Sequence, residues 1–201
     1  MSSTPKKNDM KSPAKSRQEL AKEKQQELKT RRDAVSELQK NAYGSLPVGG
    51  LFIALFVSAD PHQSDAFHWG IYHHATSFKG TKYHITGSAG RWIAAHSDAR
   101  NTFKSQSLSV LVQIGQIPQS ATDQLDQIMK SHDHELNNLP GLTCRVWVFT
   151  VVEKLVAAGL LTMTGTTSTL EDECKAYGNQ LSSGDAQKDQ PRPVVRSAIC
   201  S

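Results

Sequence analysis

No stretch of this chain approaches the roughly 20 consecutive apolar residues that cross a bilayer. The longest uninterrupted apolar run, Leu51-Phe52-Ile53-Ala54-Leu55-Phe56-Val57, is far shorter. Cysteine is scarce. Cys144, Cys174 and Cys200 are an odd trio, unable to build a disulfide framework and suited to a reducing compartment. Hydrophobic residues make up 37% of the chain and aromatics 6%, a low share for a globular protein. The shortfall points to unstructured segments, because one region is rich in apolar runs. An Asn-x-Ser/Thr glycosylation acceptor is absent. So are the Gly-x-Ser-x-Gly elbow of serine hydrolases and the Gly-x-Gly-x-x-Gly fingerprint of dinucleotide binders. Lys6, Lys7 and Lys11 are followed by no apolar h-region, and Ala198-Ile199-Cys200-Ser201 is not a prenylation box. The expectation is an intracellular, cytoplasmic protein with no transmembrane segment and no cofactor.

The 201 residues suit one compact domain with tails. Charge divides them. Residues 1–42 carry 11 Lys/Arg against 6 Asp/Glu, while the remainder is nearly neutral. The reading is therefore a basic arm over 1–43, an α+β domain over 44–181 and a flexible tail over 182–201. A solvated tail is the plain interpretation of such an arm. Contact with nucleic acid or an anionic surface through residues 1–42 is the alternative. The arm has no aromatic residue before Tyr43, which argues against a sequence-specific single-strand reader.

Residues 1–16, rich in Ser, Pro and Lys, are expected to be disordered. Glu19, Glu23 and Glu27, spaced four apart with interleaved Lys and Arg, predict an exposed helix over 17–41. A glycine-rich loop, Tyr43 to Gly50, precedes the apolar run at 51–57, which reads as a strand buried on both faces and stopped by Asp60-Pro61. Further strands are expected at His68–His73, Thr81–Thr86, Arg91–Ala94 and Leu108–Ile117. A helix is expected over Thr122–His132. The segment from Cys144 to about Ala158 is rich in β-branched residues. Its length and Gly159 as a stop nevertheless favour a buried helix. Ser168-Thr169-Leu170-Glu171 has the capping-box pattern and predicts a last helix to about Asn179.

The residues that could carry chemistry are His68, His84 and Cys144. His68 shares a strand face with Gly70 and Tyr72, and His84 can lie beside it across a hairpin. Cys144 stands at a helix start with Thr143 as N-cap, where unpaired N–H groups and the positive helix end favour a thiolate. Arg145 adds positive charge nearby. His68-Trp69-Gly70-Ile71-Tyr72, then Tyr83-His84-Ile85, then Thr143-Cys144 opening an apolar helix, together resemble the permuted papain-like superfamily, which includes NlpC-type and lecithin retinol acyltransferase-like enzymes. The chain is also similar to a group of uncharacterised fungal proteins.

The resemblance implies a papain-like domain with an antiparallel sheet packed on the Cys144 helix. It also implies a thiol hydrolase or acyltransferase acting on a small-molecule, peptide or lipid ester or amide. It assigns Cys144 as nucleophile, His68 as base and His84 as the residue orienting it. The lipid-acting branch has Asn before the Cys and an acid after it, where this chain has Thr143 and Arg145. The competing readings are a catalytically inactive interaction module and, for the residues themselves, ordinary sheet histidines with a packed thiol. His73-His74 and His132-Asp133-His134 raise a metal. However, adjacent strand histidines point to opposite faces, and no Cys pair or His-Glu-x-x-His supports one.

Overall fold

A computed structural model describes residues 16–58, 63–183 and 188–201. The expected disorder before residue 16 and the Asp60-Pro61 stop lie outside the described residues. The chain divides into two compact units, Met1–Val35 and Ser36–Ser201. Helix α1 runs over Arg17–Gly44. Its residues in the first unit are almost all exposed and polar, so charge spacing and propensity rather than a buried face make it helical. In the second unit the helix ends on buried Tyr43.

The second unit is an α+β fold around a six-stranded sheet. The strands are β1 (Gly50–Val57), β2 (Phe67–Thr76), β3 (Lys79–Tyr83), β6 (Ser97–Ala99), β7 (Leu108–Gln116) and β8 (Val194–Arg196). Their spatial order is β6-β3-β2-β1-β7-β8. β1 is central, antiparallel to β2 on one side and β7 on the other. That position explains its unbroken apolar sequence: a strand covered on both faces needs no polar alternation. Each of its fully buried Leu, Ile and Phe side chains contributes about 1.5–3 kcal/mol relative to exposure.

The sheet's two faces bury different sets. Leu51, Ile53, Leu55, Phe67, Trp69 and Ile71 pack with the helical layer, α2 (Thr122–Lys130), α3 (Cys144–Ala157) and α4 (Thr167–Ser182). Phe52, Ala54, Phe56 and Tyr72 pack on the other side with Tyr43, Leu46 and Phe103. Trp69 meets Phe149 of α3 edge-on at 5.4 Å between ring centroids. α3 forms despite its β-branched residues. Thr143 caps it by accepting the Val146 N–H, and Gly159, at φ 70°, follows its end. Among the described residues no helix is long and apolar enough to cross a membrane.

Four expectations change. The sheet is mixed rather than antiparallel, because β8 pairs parallel to β7. The segment expected over Thr81–Thr86 breaks at His84; Ile85–Thr86 (β4) leaves to pair with Ile93–Ala94 (β5) in a separate two-stranded sheet. The capping box of α4 is built by Thr166 and Thr169, not Ser168 and Glu171; the Glu171 carboxylate is occupied by Arg145 and Lys175. The expected loose tail is tied to the body. Arg192 is 1% exposed and donates to the carbonyls of Ser109 and Leu181, which fixes the segment that supplies β8.

Candidate active site

The register places His68 opposite Phe56 and Tyr72 opposite both Phe52 and Lys82. By the two-residue alternation of a strand, His68, Gly70 and Tyr72 therefore lie on the face with Phe52, Phe56 and Lys82. The His68 and Phe56 rings stand 6.1 Å apart, and Lys82 Nζ lies 5.4 Å from the centre of the Phe56 ring. His68 Nε2 and His84 Nδ1 are 2.9 Å apart, with the rings perpendicular at 5.0 Å. Gly70 permits this approach. A Cβ there would stand 3.1 Å from the Tyr83 carbonyl oxygen and 3.2 Å from His84 Cβ. The element that needs the missing side chain is thus the end of β3, not a helix.

Burial first, then the Lys82 charge, lowers the pKa of His68. Burial, Lys82, His68 and His96 push His84 down to about 4. Both imidazoles are neutral at pH 7. One ring donates its N–H to the lone pair of the other, and Lys82 discourages a proton on either.

Cys144 sits elsewhere. It is the first residue of α3 and packs, half-buried, against the core on the Trp69 face. The pleat of β2 directs His68 to the opposite face. Among the described residues Cys144 Sγ has no hydrogen bond to His68 or His84. The structure brings the two histidines together and leaves the cysteine apart. Nor does Arg145 stand free to support a thiolate, because its Nη1 lies 2.6 Å from Glu171 Oε1.

The imidazole beside the start of α3 is His96, which the sequence did not single out. Its ring is 5.8 Å from Trp147. Nδ1 accepts the backbone N–H of His84, and Nε2 lies 3.2 Å from Asp133 Oδ1. With Nδ1 accepting, Nε2 carries the proton and donates to the carboxylate. Both nitrogens are committed, so His96 braces β3 against the loop after α2. No local sequence signal marks it; its partners lie 12 and 37 positions away.

The three histidines, Asp133 and Cys144 fall within one family span, residues 54–162. The chain belongs to a family of unknown function, DUF6540. No curated protein and no solved structure matches it. The family span holds His68, His84, His96, Asp133 and Cys144. It leaves out α1, α4 and β8.

Three of the remaining candidates have local partners. His132 Nδ1 is 2.6 Å from Glu135 Oε1, and His74 Nδ1 is 2.9 Å from the Tyr72 hydroxyl. Asp133 serves His96. Among the described residues no three His, Cys, Asp or Glu side chains converge as metal ligands. Cys174 and Cys200 are buried, and burial raises both thiols, which suits packed core groups.

Proposed function

We propose that this DUF6540 member is a binding module whose basic arm attracts an anionic partner. One observation carries this reading: the strand pleat turns His68 away from the helix that begins with Cys144. A thiol nucleophile needs its base within hydrogen-bond reach. Here the neutral His68–His84 pair is built into the sheet face with Phe56 and Lys82. The excess of Lys and Arg in residues 1–42 supplies long-range attraction to polyanions that salt weakens.

The test is alkylation of Cys144 by iodoacetamide across pH, with the other two thiols buried. The expected rate rises with pH as for an ordinary thiol, and His68→Ala leaves it unchanged. Rapid alkylation near pH 6 that His68→Ala abolishes would overturn the module reading.

A second reading is cysteine-dependent acyl transfer on a permuted papain-like fold. It draws support from Cys144 at the first position of α3 behind the Thr143 cap, and from the 2.9 Å histidine pair. On this reading His68 takes the thiol proton and the sulfur attacks an ester or amide carbonyl. His84 holds the His68 tautomer, and the N–H groups at the start of α3 receive the oxyanion. The proton then leaves with the alcohol or amine. The same alkylation profile decides between the two.

A further inference from the structure

We infer that the groove between the end of α1 and the tip of the β2–β3 hairpin binds single-stranded nucleic acid, with Phe78 stacking on a base. The inference rests on the binding-module reading and narrows it to one partner chemistry.

Phe78 is 84% exposed, the most exposed large apolar side chain among the described residues. Nothing in the turn requires a phenyl ring. The hairpin is closed by the Thr76 hydroxyl, which accepts the backbone N–H groups of Phe78 and Lys79 at 3.3 and 3.1 Å. The backbone is therefore held while the ring points into solvent. Such a ring gains burial only when something planar or apolar covers it.

The surroundings define what that is. Phe78 lines a groove of about 550 Å³ together with Lys40, Asn41, Ser45, Arg100 and Asn101. Among the described residues no Asp or Glu lines it. Arg100 is exposed and has no ion pair among the described residues. Lys40 has only a long pairing with Glu37, 3.7 Å away and exposed, worth little in water. Asn101 Oδ1 is used by the Phe103 N–H, which fixes the loop beside Arg100.

An exposed aromatic face flanked by two cations matches one nucleotide: the base lies on the ring and the phosphates meet Lys40 and Arg100. The absence of an aromatic residue before Tyr43 argues against a sequence-specific single-strand reader in the arm. The fold supplies the missing ring from residue 78. The groove is shallow and open, which fits a strand passing over it better than an enclosed mononucleotide. Stacking reads every base, so recognition is sequence-tolerant.

The experiment is fluorescence anisotropy of the full chain with a short labelled oligothymidylate, a duplex of equal length and free thymidine monophosphate as competitor, all at low salt. The single strand should bind tighter than the duplex. Phe78→Ala should weaken single-strand binding about tenfold while leaving the slope of affinity against salt and the melting temperature unchanged. Phe78→Tyr should restore it. Arg100→Gln should reduce that slope by about 0.7.

No binding of the oligonucleotide overturns the inference. So does a Phe78→Ala variant that binds like the parent; in that case the arm alone provides the contact. Full displacement by equimolar mononucleotide overturns it too, in favour of a free nucleotide. None of these outcomes touches the module reading, which fails only on the Cys144 alkylation profile.

Discussion

Replacing Trp69 with alanine will cost about 4 kcal/mol of folding stability, read as a large drop in the urea midpoint. Trp69 is 1% exposed and stands at the centre of the joint between β2 and α3, edge-on to Phe149. Truncation there removes the transfer energy of the indole and leaves a cavity that the surrounding strand cannot close. β2 is pinned on both sides, by β1 and β3. Phe78→Ala is the matched control. The two residues sit on the same β-hairpin, but Phe78 is exposed, so its loss should move the midpoint by less than about 0.5 kcal/mol. A Trp69→Ala midpoint close to that of the parent would mean that α3 does not pack on this face, and the separation of Cys144 from His68 would fall with it.

Acid will destabilise the domain in a window set by its buried histidines. His73 is 2% exposed, and burial followed by the charge of His74 pushes its pKa down to about 4. His84 is also pushed down to about 4, and His68 and His74 are lowered. In the unfolded chain each takes a proton near pH 6.5. Between pH 6.5 and about 4 the unfolded state therefore binds more protons than the folded one, and stability falls as pH falls. For His73 alone the loss reaches about 3 kcal/mol once pH is below its folded value. The buried His73 and His74 Nε2 atoms have no hydrogen-bond partner among the described residues, so none of these holds an added proton. Urea midpoints measured from pH 7 to pH 4 should fall steadily, and His73→Leu should flatten the slope by about one proton. A parent curve that stays level down to pH 4.5 would contradict the assignment.

The parts of this fold legible in the sequence were those whose cause is local. β1 was readable because burial on both faces demands an unbroken apolar run. α1 was readable from charges four apart. α3 was readable because its length and Gly159 outweighed the β-branched residues. What stayed hidden depended on partners far along the chain. The break at His84 exists because Ile85 pairs with Ala94, and nothing in Thr81–Thr86 announces it. The two prolines near residue 192 made the tail look loose, while Arg192 held it through distant carbonyls. The site divides in the same way. Alternation correctly grouped His68, Gly70 and Tyr72, but a period of two says only that a strand has two faces. It does not say which one a helix will cover. Both faces of β2 are apolar enough to be buried, so the side taken by α3 was undecidable from residues 67–76 alone.

β8 also bears on how copies of this protein coexist at high concentration. β7 is nine residues of mostly buried strand, and an uncovered flank of that length offers its unpaired amides and carbonyls as a template for a neighbouring chain. β8, anchored by Arg192, covers the middle of that flank, pairing with Leu111, Val112 and Gln113. The opposite border, β6, is three residues long and carries Asp98 in an ion pair with Lys79, too short and too charged to recruit a strand. Both borders of the sheet thus end on three-residue strands, which are poor templates for lateral growth.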